Sequence, residues 1–125
     1  MSDISPHFDR SEFACKCGCG FDAVSPKLID ALEQLRVLVK KPMVINSGCR
    51  CVEHNKAVGG EPESKHLSGQ AADVKIKGIS PLKLFLLAAE VPAFKQGGRG
   101  VYETFTHLDV GTGNKRPGIW DRRTK

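Results

Sequence analysis

Two serine-proline pairs, Ser25-Pro26 and Ser80-Pro81, each head an apolar run of helical period, and the segments between and after those runs change to period two. That change of period constrains the fold more than any other feature. Serine before proline combines a helix N-cap with the residue best tolerated at the first helical position. Leu28, Ile29, Leu32, Leu35 and Leu38 then predict a helix to Lys40, and Leu82, Phe85, Leu86 and Ala89 predict a second one ending before Pro92. Met43-Val44-Ile45 reads as a buried strand entering the loop Asn46-Ser47-Gly48, and a short helix from Val52 to Val58 should stop at Gly59-Gly60. Ala72, Val74 and Ile76 alternate with Asp73, Lys75 and Lys77, which predicts a half-buried strand with Asp73 on its wet face. After a turn at Gly97-Gly98 and Gly100, one strand is predicted from Val101 to Val110, with Val101, Glu103, Phe105, His107 and Asp109 on one face.

Helices and strands mixed within 125 residues give a chain of one domain, residues 1–125. Residues 1–24 form an irregular N-terminal wrap, 25–111 the core, and 112–125 a basic tail that Trp120 pins to the body. The composition, 40% hydrophobic and 26% charged, excludes a disordered or repetitive chain. The net charge of +5 reads as a solvated basic face, and one Tyr and one Trp are few for a nucleic-acid stacking surface. The apolar stretch Leu84 to Ala89 is too short to span a bilayer. Met-Ser-Asp-Ile-Ser-Pro-His lacks the basic and apolar regions of a signal peptide, so synthesis in the cytoplasm is expected, with separate delivery if the chain acts outside.

Cys15, Cys17, Cys19, Cys49 and Cys51 are an odd number, which fits a complete disulfide framework poorly. Together they could supply four thiolates to a structural zinc. CxC is tighter than the usual CxxC knuckle, so free thiols are the preferred reading, with the structural zinc next and a disulfide last.

A catalytic zinc takes three protein ligands from His and carboxylate and keeps a position open for water. His66, Asp73 and His107 can meet that need. The segment Ser64-Lys65-His66-Leu67-Ser68-Gly69-Gln70-Ala71-Ala72-Asp73 resembles the SxHxxGxAxD motif of the M15 family of zinc D-Ala-D-Ala peptidases. Ser47-Gly48-Cys49-Arg50, Glu53-His54-Asn55 and Val58-Gly59-Gly60 resemble its SGxR...HNxxVGG segment, and His107-Leu108-Asp109 its HxD motif. The resemblance covers roughly Ile29 to Gly111.

What the resemblance implies is a hedgehog-type α+β fold, with helices on one side of a small antiparallel sheet and a zinc on the other. His66, Asp73 and His107 would be the ligands, and Arg50 and Ser64 would contact substrate. Arg50 would bind a carboxylate or carbonyl, for which its planar fork is suited, or else form a structural ion pair. Many relatives carry a Glu three residues before the second His, or a His a few residues upstream; here the minus-three position is Thr104 and the minus-five position Tyr102. Glu103 is therefore the first candidate to take a proton from the attacking water, and Asp109 the second, with a role orienting a ligand imidazole preferred for Asp109. His54 is read as a helix-face hydrogen-bonding residue and His7 as idle. The implied activity is hydrolysis of a peptide bond in a peptidoglycan stem peptide by a monomer, as carboxypeptidase or endopeptidase, in the manner of a phage or prophage endolysin. The alternatives are a zinc-binding module of the same fold without catalysis and a basic nucleic-acid binder.

Overall fold

The computed structural model describes residues 3–113 and 115–123; the ends of the predicted wrap and part of the predicted tail (1, 2, 114, 124 and 125) lie outside the described residues. Helix α1 spans Pro26–Val39, with Ser25 at its N-cap and Lys40 in the left-handed conformation at its end. It buries Leu28, Ile29, Ala31, Leu32 and Leu35, while Leu38 is 44% exposed, so the stripe stops a turn early. Each buried leucine or isoleucine is worth about 2 kcal/mol before entropy is counted. Strand β1 (Val44–Ser47) is followed by α2 (Val52–Ala57), a 3-10 turn at Lys65–Ser68, and β2 (Ala71–Lys75).

Helix α3 spans Pro81–Ala88, but the face it buries is that of Leu84 and Ala88, whereas Leu82 and Leu86 are exposed. The run Leu-Lys-Leu-Phe-Leu-Leu-Ala is apolar on almost every side, so its period does not choose a face. Pro92 does not merely end this region. It occupies the start of a further helix, α4 (Pro92–Gln96), whose Phe94 is fully buried.

The long strand predicted from Val101 to Val110 is instead a hairpin. Strand β3 (Gly98–Val101) runs into a loop at 102–105 and returns as β4 (Thr106–Asp109), with Gly98 opposite Asp109 and Gly100 opposite His107. The glycines belong to the strand because side chains would not fit. A Cβ at Gly98 would collide with the Asp109 carboxylate and one at Gly100 with the Trp120 indole. The tail adds β5 (Gly118–Asp121), parallel to β3. The sheet order is β1-β2-β4-β3-β5 and the sheet is mixed, not wholly antiparallel.

The two faces of the sheet do different work. Ile45, Ala72, Val74 and Leu108 join the core formed with α1, α3 and α4, and Thr106 donates its hydroxyl to the Pro81 carbonyl at the head of α3. Side chains one position along, Asp73, His107 and Asp109, point the other way. The N-terminal segment carries a 3-10 helix at Arg10–Phe13 where an irregular wrap was expected, with Phe8 and Phe13 buried edge to face at 5.8 Å. His7 is not idle: its Nδ1 lies 2.6 Å from Glu33 on α1, tying the wrap down. Among the described residues no helix is long and apolar enough to cross a membrane.

Candidate metal centre

Strands β2 and β4 are neighbours at the centre of the sheet, and Asp73 is directly opposite His107. Cross-strand partners project on the same face, so the register alone brings carboxylate and imidazole together. His66 comes from the 3-10 turn just before β2, held by two contacts: Ser64 Oγ accepts from the His66 amide at 3.2 Å, and the Arg50 amide donates to the His66 carbonyl at 3.0 Å. His66 Nε2 and His107 Nδ1 each lie 3.2 Å from Asp73 Oδ1. One donor atom from each residue lies within 4.8 Å of the other two, a spacing that suits a common metal ion.

The other nitrogen of each ring is committed. His66 Nδ1 donates to the Gly48 carbonyl at 2.6 Å, and His107 Nε2 lies 2.7 Å from Asp109 Oδ2. When the rings are neutral, these bonds leave the lone pairs of His66 Nε2 and His107 Nδ1 on the side of Asp73, which is how ligand imidazoles are oriented in metal sites, and when the rings are protonated the same nitrogens donate to Asp73. The site is dry. His66 is 1% exposed, Asp73 5% and His107 8%, so Asp73 does not lie on a wet face and β2 is buried on both sides. Burial works against ionisation of Asp73, but hydrogen bonds and charge from His107 and His66 outweigh it and hold the carboxyl well below its usual range. Burial likewise opposes the His107 cation, and Asp109 and Asp73 together raise its pKa despite it.

The residues expected around the ligands divide sharply. A bulge at the end of β1 shifts the register so that Ser47 faces Asp73. Arg50 then spans this corner: Nη2 donates to Asp73 Oδ2 at 3.1 Å, Nε to Ser47 Oγ at 3.2 Å and Nη1 to Asn55 Oδ1 at 3.2 Å. Arg50 is thus in the structural ion pair of the alternative reading. Glu103 lies exposed in the β3–β4 loop, beyond the Val101–Thr106 pair, with the positive charge of Arg123 nearby. It does not share a strand face with His107, because the chain turns back before reaching it. Asp109 is fully buried, and its carboxylate also receives Arg116 Nε at 3.0 Å, Arg116 Nη2 at 2.8 Å and the Gly111 amide at 3.0 Å.

Arg116, Trp120 and Tyr102 complete the site and were not singled out as site residues from sequence. The Trp120 ring lies 5.0 Å from that of His107, and its Nε1 donates to the Tyr102 hydroxyl at 3.1 Å. The Tyr102 amide donates to Phe105, extending the ladder, so Tyr102 falls on the same face as Gly100 and His107. The only sequence trace of this arrangement is the pair Gly98 and Gly100, glycines at strand spacing that admit a carboxylate and an indole.

No curated protein matches the chain. The family described as Peptidase M15 matches residues 6–109, five-sixths of the sequence, and covers both histidines, Asp73 and the segment that carries Arg50. The chain belongs to the peptidase M15 family.

Proposed function

We propose that the protein is a zinc peptidase of the hedgehog-type fold that hydrolyses a peptide bond in bacterial peptidoglycan stem peptides. The observation that carries this reading is the convergence of His66 Nε2, Asp73 Oδ1 and His107 Nδ1, each with its opposite side already committed, in a chain of a peptidase family. Two imidazoles and one carboxylate form the donor set of an open, hydrolytic zinc site. When bound, zinc supplies Lewis acidity that polarises the scissile carbonyl and activates water.

The chain's own residues do the rest. Arg50 holds Asp73 Oδ2 so that Oδ1 faces the two imidazoles, and in this reading the N–H groups left over from its bonds to Asp73, Ser47 and Asn55 would serve a substrate carboxylate. Ser64 fixes the turn that aims His66. The Tyr102 hydroxyl accepts from Trp120, which leaves its own proton for the developing negative charge on the carbonyl oxygen. A dry floor of buried His66, Asp73 and Asp109 strengthens each of these interactions.

One observation favours a second reading, a zinc-binding module without catalysis: Glu103 lies in the loop and Asp109 is fully engaged, so neither carboxylate is placed as a general base. Digestion of purified peptidoglycan, with and without chelator and with mass spectrometry of the new ends, separates the two. Chelator-sensitive cleavage establishes the peptidase; zinc bound through His66 and His107 with no new ends establishes the module.

A further inference from the structure

The cysteines form a second constellation on the N-terminal wrap. Cys15, Cys17, Cys19 and Cys51, separated by up to 36 residues in sequence, place their four sulfurs within 4.8 Å of one another. Cys49, although it lies between Arg50 and the wrap in sequence order, is buried in the hydrophobic core and takes no part.

The spacings discriminate between chemistries. Cys15 and Cys17 Sγ are 3.4 Å apart, Cys17 and Cys51 3.6 Å, and Cys15 and Cys51 3.9 Å. A disulfide needs about 2.0 Å. A tetrahedron of sulfurs around zinc, with Zn–S of about 2.3 Å, has edges of about 3.8 Å. The backbone also supplies the amide-to-sulfur contacts that a coordinated thiolate uses, from Cys51 N to Cys15 Sγ at 3.5 Å and from His54 N to Cys51 Sγ at 3.4 Å.

The tight CxC spacing ceases to be an objection once the backbone is followed. In an extended strand, residues two apart stand about 6.6 Å apart. Here Gly18 donates to the Cys15 carbonyl at 3.2 Å, closing a turn, and both Gly18 (φ 82°) and Gly20 (φ 92°) take a left-handed conformation that only glycine adopts freely. The chain coils so that alternate residues converge instead of running out along a line. Cys15 N donates to Phe21 O at 2.8 Å and closes the loop behind them.

We propose that Cys15, Cys17, Cys19 and Cys51 bind a structural zinc ion, distinct from the His66–Asp73–His107 centre and independent of whether that centre is catalytic. Four thiolates close the coordination sphere, so the site is structural. It locks the wrap onto the segment 48–51, where Cys49 N already donates to Phe13 O at 2.8 Å, and that segment carries the Gly48 carbonyl that orients His66 and the Arg50 that holds Asp73.

The test uses the full chain, expressed with zinc and purified without chelator. Zinc content should be two per chain, falling to one in His107→Ala, to one in Cys17→Ser/Cys51→Ser, and staying at two in Cys49→Ser. Cobalt exchanged into His107→Ala should show the near-ultraviolet sulfur-to-metal charge-transfer band, which Cys17→Ser/Cys51→Ser should lack. Should the double variant fail to fold, Cys19→Ser, an exposed single change, should lower that band by about a quarter, one thiolate of four. A zinc content unchanged by any cysteine substitution, an absent charge-transfer band, or a thiol titration of denatured, unreduced protein that finds fewer than five thiols would overturn the proposal. If only the histidine centre fails, the count is one, insensitive to His107→Ala and abolished by the cysteine pair.

Discussion

Asp109 lies 2.7 Å from Nε2 of His107, on the side of the imidazole opposite Asp73, and holds the ring with its other nitrogen toward the site. Its two oxygens are fully occupied by His107, Arg116 and Gly111. We expect a carboxylate so engaged to orient a metal ligand and not to shuttle protons. Asp109→Asn should therefore keep the fold and weaken zinc binding at the histidine centre roughly 10- to 100-fold, measured by competition with a chromophoric chelator. Unchanged affinity would sink the orienting role.

Arg116 meets Asp109 with two nitrogens across a buried contact. Its charge and hydrogen bonds, with those of His107, outweigh the effect of burial and hold the Asp109 carboxyl well below its usual range. Arg116→Met should leave that charge underpaired and cost about 3 kcal/mol in urea denaturation, the low end for breaking a buried pair because His107 remains. A cost below about 1 kcal/mol would mean that water replaces the guanidinium.

Tyr102 and Glu103 are adjacent in sequence, yet only Tyr102 is on the site face. Glu103→Gln should retain zinc and hydrolyse stem peptide within about twofold of the parent, well short of the 10²-fold or larger loss expected for a general base. Tyr102→Phe should lose roughly 10²-fold in kcat with KM little changed, as for removal of one oxyanion donor. The reverse pattern would return the proton-transfer role to Glu103.

Glu33 anchors the N-terminal wrap, accepting from Ser5 Oγ at 2.5 Å and from the His7 amide at 2.8 Å. Burial raises its pKa, but bonds from Ser5 and His7 outweigh this, and the folded value lies below the ordinary 4.5. A depressed carboxyl contributes stability that is present above its unfolded pKa and lost as pH falls through the folded one. Glu33→Gln should thus cost on the order of 1 kcal/mol at pH 7 and little at pH 3, compared in metal-free protein so that acid release of zinc does not enter. An equal cost at both pH values would show that the anchor does not depend on the charge.

The sequence by itself marked where α1 and α3 begin and which three residues are the candidate metal ligands. Serine-proline pairs start α1 and α3 where they were expected, and the motif around His66 and Asp73, with His107 downstream, marks the three residues that the fold brings together. Local steric rules suffice for the helix starts, since a cap is decided by residues within a few positions of one another, whereas the three candidate ligands were marked by the resemblance of their motifs and not by spacing. What only tertiary structure decided is everything that depends on which strand lies beside which. The chain reverses at Tyr102–Phe105, which removes Glu103 from the face of His107. The parallel return of β5 delivers Arg116 and Trp120 from the tail to Asp109 and His107. Glycine turns at 18 and 20 bring the cysteines of the wrap within reach of Cys51. The last two are long-range contacts, marked in the sequence around their partners by little more than the glycines at 98 and 100, and the hairpin escapes notice because period two reads the same through a strand and through the turn that interrupts it.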